Sequence, residues 1–66
     1  MSRFELSGRE KEIIGLKITG LGDKEIAKKL SISYGTVRTH IERAKIKLGC
    51  QNTVQLVLTA NSLLNI

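Results

Sequence analysis

Four times along the chain a small or polar residue stands just before a run whose apolar side chains return every three or four positions, and no proline interrupts any run. That periodicity belongs to helices; the β-branched alternation of strands is missing. The chain is therefore expected to be all-α, a single domain over residues 1–66 with helices at about 7–20, 23–31, 34–48 and 52–64.

The first run opens with S-G-R-E, the form of a capping box in which the Ser7 hydroxyl accepts from the Glu10 amide while Glu10 reaches back. Ile13, Ile14, Leu16 and Ile18 give it a broad apolar face. Gly15 lies inside that face at a propensity cost of about 1 kcal/mol relative to alanine, and serves either a close helix contact or nothing. A second helix begins around Gly22 and Asp23, where Asp23 and Glu25 complement the helix dipole, and carries Ile26, Ala27 and Leu30 inward. Ser33 is placed as N-cap of a third helix from Tyr34 to Leu48, with Gly49 as its stop. Asn52 and Gln55 repeat the cap pattern for a fourth helix, whose core face is Leu56, Ala60, Leu63 and Leu64.

A chain of 66 residues builds one small core, which leaves little room for an elaborate catalytic pocket. No nucleophile with its base, acid-base pair, phosphate-binding glycine loop or metal cluster is recognisable, so no enzyme and no cofactor or metal is expected. His40 is the lone histidine and has no Cys, Asp or second His at ligand spacing. Cys50 is the lone cysteine, which excludes an intramolecular disulfide and fits a reducing compartment. The first residues lack a secretory signal pattern, and no apolar run approaches the ~18 residues of a membrane span. The expected location is cytoplasmic, with the nucleoid.

Eleven Lys and Arg oppose six Asp and Glu, a formal net charge of +5 that favours an anionic partner. The cations crowd the segment KEIAKKLSISYGTVRTHI at residues 24–41 and the rest of the third helix, whereas residues 49–66 carry no charged side chain. At about 100° per residue, Val37, Ile41, Ala44 and Leu48 form the inward stripe of the third helix. Gly35, Arg38, Thr39 and Glu42 then face outward. These types suit base edges in a major groove: arginine bonds bidentately to guanine, threonine bonds or touches a thymine methyl, and a carboxylate accepts from cytosine. A solvated face would carry similar residues. Thr36, His40, Arg43 and Lys47 lie along one flank of this face and Lys45 along the other, with Lys24 and Lys28 on the helix before. Groups so placed can hold phosphates.

The segments LSGREKEII, KEIAKKLSIS, TVRTHI and KLG occur in the order and spacing of one family, and from about Leu6 to Leu64 the chain resembles the LuxR/GerE-type helix-turn-helix domain of bacterial transcription regulators. The resemblance implies four helices, of which the second and third form the helix-turn-helix, the third enters the major groove, and the fourth mediates dimerisation. It implies Arg38, Thr39 and Glu42 as base readers, with Lys24, Thr36 and the third helix's Arg43, Lys45 and Lys47 near phosphates; Lys28, Ser33 and Tyr34 are further expected phosphate contacts. Expected partners are double-stranded DNA, a second copy of the chain and RNA polymerase, with no membrane.

The chain departs from the family pattern at Glu42, where a basic or neutral residue is usual, and at Thr53, where arginine is usual. Ala44 is smaller than the isoleucine common there, with Ile18 or Ile46 available to fill the core beside it. On the fourth helix Val54, Leu58 and Asn61 share a second strip, expected at a dimer interface. Receiver or ligand-binding domains usually precede such a domain and do not fit in the six residues before Ser7, so the chain is either a stand-alone regulator or a fragment of one. Two other readings remain: a sigma-factor-like promoter-recognition module, which LSGREKEIIGL also resembles, and a protein-binding module acting through the apolar fourth helix.

Overall fold

The computed structural model describes residues 6–64, with side chains described through Ser62. It is all-α: α1 (Gly8–Ile18), α2 (Asp23–Leu30), α3 (Tyr34–Leu48) and α4 (Thr53–Leu64). Each start obeys local chemistry. At α1 the Glu10 amide donates to Ser7 Oγ at 3.2 Å, and the Ser7 amide donates to Glu10 Oε1 at 2.8 Å. At α2 the cap is Gly22, so only half of that reciprocal pair exists, the Gly22 amide donating to Glu25 Oε1. At α3 the Thr36 amide donates to Ser33 Oγ at 3.0 Å. At α4 the Gln55 amide donates to Asn52 Oδ1, while the Gln55 side chain reaches one residue further back, to the Gln51 amide.

The first three helices end in the same way. In each, the residue after the last turn adopts a left-handed conformation, and paired amides close back on carbonyls three and five residues earlier, the Schellman arrangement. Gly20 (φ 105°) and Gly49 (φ 68°) fill this position after α1 and α3. After α2 it falls to Ser31 (φ 57°), whose amide donates to the Lys28 carbonyl while Ile32 donates to that of Ala27. A side chain in this conformation costs about 1 kcal/mol, and Ser31 is exposed. Ser31→Gly relieves that strain but loosens the unfolded chain; the net expectation is a gain of about 0.5 kcal/mol in urea melts.

Packing follows the stripes. Leu6, Ile13, Ile14, Ile26, Ala27, Val37, Ile41, Ala44, Leu56 and Ala60 form the buried core. α1 and α3 are its central pair, each packing against every other helix, and α2 and α4 share no contact among the described residues. Leu63 and Leu64, expected in the core, lie outside the described side chains. Ile46 does not fill the space beside Ala44, because it is 78% exposed; Ile18 is partly buried against the core. A Cβ added at Gly15 would meet nothing within 4 Å, so no close helix contact needs this glycine. Gly15→Ala is expected to stabilise the domain by about 0.5–1 kcal/mol, seen as a higher urea midpoint. No described helix is long and apolar enough to cross a membrane.

Candidate nucleic-acid interface

α2 packs against α3 across the short Ser31–Ser33 turn, with the buried Val37, Ile41 and Ala44 fixing which side of α3 turns inward. Thr39 and Glu42 are consequently exposed, and the Arg38 side chain is 39% exposed between them and α2. The three residues expected to read bases do share one face.

They are not independent. Arg38 Nη1 donates to Asp23 Oδ2 at 2.9 Å, and Arg38 Nη2 lies 3.4 Å from Glu42 Oε2. Lys45 Nζ holds the same Glu42 oxygen at 2.6 Å, and Lys17 Nζ holds Asp23 Oδ1 at 2.6 Å. A chain of alternating charges therefore runs from α1 through the first residue of α2 to two turns of α3. Burial pushes the Asp23 carboxyl up, but the bonds from Lys17 and Arg38 bring it below its ordinary value. Glu42 is also lowered, chiefly by its bond from Lys45. The Thr39 hydroxyl donates to the Gly35 carbonyl at 2.9 Å, which leaves its oxygen lone pairs and its methyl group for the outer surface.

The expected phosphate contacts divide into two groups. Lys24, Lys28 and Arg43 are exposed and have no carboxylate partner among the described residues, and the same holds for Lys11 and Lys29. Ser33, Tyr34 and Thr36 are exposed at the start of α3, where unpaired amides and the helix dipole favour an anion. The Ser33 and Thr36 hydroxyls lie 2.8 Å apart and share one hydrogen, so the other hydrogen is free to donate outward. Lys45 is committed to Glu42. Lys47, expected on the phosphate flank, instead sends its ammonium 2.7 Å to Glu10 Oε1, and Glu10 is 2% exposed. This lysine ties the end of α3 to the start of α1.

Burial pushes the Glu10 carboxyl up, yet Lys47 and the Ser7 donors together hold it below its ordinary value. Helical spacing puts Lys47 on the same flank as Thr36 and Arg43. Helix spacing alone shows which residues share a flank, and not that a buried carboxylate of another helix faces one of them. His40, half-buried, has its Nδ1 enclosed without a hydrogen-bond partner among the described residues. Among the described residues no group of His, Cys, Asp or Glu is placed to hold a metal ion. On α4, Val54 and Leu58 are 68% and 66% exposed, and Asn61 is exposed beside them.

Residues 5–60 match the family of bacterial regulatory proteins, luxR family. A transcriptional regulatory protein, MctR of Rhizobium johnstonii, is 42% identical over 52 residues, covering 79% of this chain and 24% of its own length. VjbR of Brucella ovis, a quorum sensing-dependent transcriptional regulator, is 45% identical over 58 residues, covering 88% of this chain and 22% of its own. This chain thus spans about a quarter or less of the length of these relatives. The solved structure of the transcription factor GerE superposes with a TM-score of 0.81 at 38% identity, covering 91% of this chain and 88% of that one.

Proposed function

Since the chain belongs to the luxR family of bacterial regulatory proteins, we propose that it binds double-stranded DNA sequence-specifically to regulate transcription, with α3 in the major groove. The observation that carries this reading is the outward face of α3, where Thr39 and Glu42 are exposed and Arg38 is half-exposed, flanked by Lys24, Lys28 and Arg43, which have no carboxylate partner among the described residues. In this reading Arg38 bonds guanine, Thr39 meets a thymine methyl or a base donor, and Glu42 accepts from cytosine. Lys24, Lys28, Arg43 and the start of α3 with Ser33, Tyr34 and Thr36 hold phosphates on either side.

The exposed strip of Val54, Leu58 and Asn61 pairs two copies through α4. Val54 and Leu58 are the large hydrophobics exposed on this uncharged helix among the described residues. Two copies related by a twofold axis then meet two half-sites about one helical turn apart.

Selection of bound duplexes from a randomised pool, followed by alignment of the enriched sites, tests the proposal. An inverted repeat is expected, containing a guanine and a cytosine within each half-site. A single asymmetric element removes the dimer from the reading and favours promoter recognition of the sigma-factor kind. No enrichment at low salt removes DNA reading altogether and leaves α4 as a protein-binding surface.

A further inference from the structure

We propose that Asp23 is a positioning residue for base recognition: it fixes the Arg38 guanidinium from α2, so that one base pair of the site is specified by the Asp23–Arg38 pair and not by Arg38 alone. The inference rests on the base-reading role of α3 proposed above.

An arginine has several rotatable bonds and discriminates guanine from other bases only when its fork is presented in one orientation. Left free, it would bond a phosphate or a solvent molecule as readily. Here its Nη1 is held at 2.9 Å by Asp23 Oδ2. Asp23 cannot swing with it, because its side chain is only 15% exposed and its other oxygen is taken by Lys17 at 2.6 Å. Position adds to this: Asp23 is the first residue of α2, anchored by the Gly22 cap and by the burial of Ile26 and Ala27 one turn later. The carboxylate is therefore a fixed point relative to the core.

The Glu42 contact at 3.4 Å is of another kind, long, on a side chain 52% exposed and already satisfied by Lys45. It can open when a base arrives, while the Asp23 bond remains. After that exchange Arg38 keeps one donor on the protein and turns the rest of its fork to the base, the arrangement by which a supporting shell makes a contact specific. A carboxylate so close to the reading face also opposes phosphate, so Asp23 contributes to discrimination and detracts from non-specific attraction.

The experiment measures binding of the native chain, Arg38→Ala, Asp23→Ala, Asp23→Asn and the double variant Arg38→Ala/Asp23→Ala. Each is titrated with the selected duplex, with duplexes changed at single base pairs, and with an unrelated duplex. Arg38→Ala identifies the base pair read by that side chain. Asp23→Ala is expected to relax discrimination at the same base pair by about tenfold, to leave or raise affinity for the unrelated duplex, and to add nothing in the double variant. Asp23→Asn, which retains one acceptor, is expected to fall between. A loss shared equally by all duplexes, or losses that multiply in the double variant, overturns the positioning role and makes Asp23 a purely structural residue. Melting curves of each variant separate unfolding from lost recognition, and Asp23→Asn serves where the alanine variant does not fold. If Arg38→Ala changes no base preference while the native chain discriminates, the assignment of Arg38 fails and the role of Asp23 falls with it; discrimination lost with Arg38 but kept without Asp23 overturns only the latter.

Discussion

Replacing Lys47 by methionine is expected to lower the stability of the domain by about 3 kcal/mol. Removing one partner of a buried ion pair costs about 3–5 kcal/mol because the other charge is left without compensation, and Glu10 is nearly inaccessible at 2%. The figure is set at the low end because the Ser7 amide still donates to Glu10 and because Lys47 is itself 31% exposed. A domain of this size has a total stability of about 3–10 kcal/mol, so the loss removes from about a third to all of it. Urea melts followed by circular dichroism measure the loss. Replacing Glu10 by glutamine in the same chain is expected to recover part of it, since no unpaired charge then remains buried.

The pH dependence follows with a definite sign. The Glu10 carboxyl lies below its ordinary value of 4.5 in the folded chain. Its contribution is therefore complete above that value and is lost as pH falls through the lower, folded one. Without Lys47, burial dominates and the carboxyl moves up, so Lys47→Met shifts the acid side of the stability profile to higher pH. If Lys47 were instead a phosphate ligand, its loss would spare stability and flatten the salt dependence of DNA binding by about one ion. The two roles are distinguished by one pair of titrations.

Arg38→Ala is expected to weaken binding to the selected site by about 1–3 kcal/mol, or roughly 5- to 150-fold, while changing affinity for unrelated DNA little. Fold stability should hardly move. The ion pairs that disappear are partly exposed and therefore weak, and Asp23 and Glu42 keep Lys17 and Lys45. Arg43→Ala provides the contrast: its side chain has no carboxylate partner among the described residues, and its loss should weaken all duplexes together and reduce the salt slope by about one. Fluorescence anisotropy over a range of salt concentrations checks both. Equal losses on specific and unrelated duplexes for Arg38→Ala would count against a base-reading role.

Much of the architecture is legible in the sequence because its causes are local. Ser7, Ser33 and Asn52 cap the helices they precede, and Gly49 stops the third. The inward stripe of Val37, Ile41 and Ala44 follows from spacing alone, and with it the outward position of Thr39 and Glu42. What spacing cannot convey is the meeting of side chains from different helices. Its place at the start of α2 makes Asp23 a dipole partner of its own helix, yet its carboxylate also bonds Arg38, fifteen positions on. Glu10 was read as a capping residue, and it caps while also holding Lys47, thirty-seven positions on. Ser31 carries no mark of the left-handed conformation that glycine signals after α1 and α3, so the turn's geometry was hidden in an ordinary serine.

The absence of contact between α2 and α4 among the described residues separates two properties that a regulator must vary as its targets change. The residue proposed to steady Arg38 belongs to α2, and the strip proposed to join two copies belongs to α4. Both helices pack on the central pair, α1 and α3, which lies between them. Free energies of well-separated, unconnected positions add, so under the proposed function a lineage could alter the letters of a half-site and the spacing between half-sites by separate, small substitutions, each selectable without repair of the other.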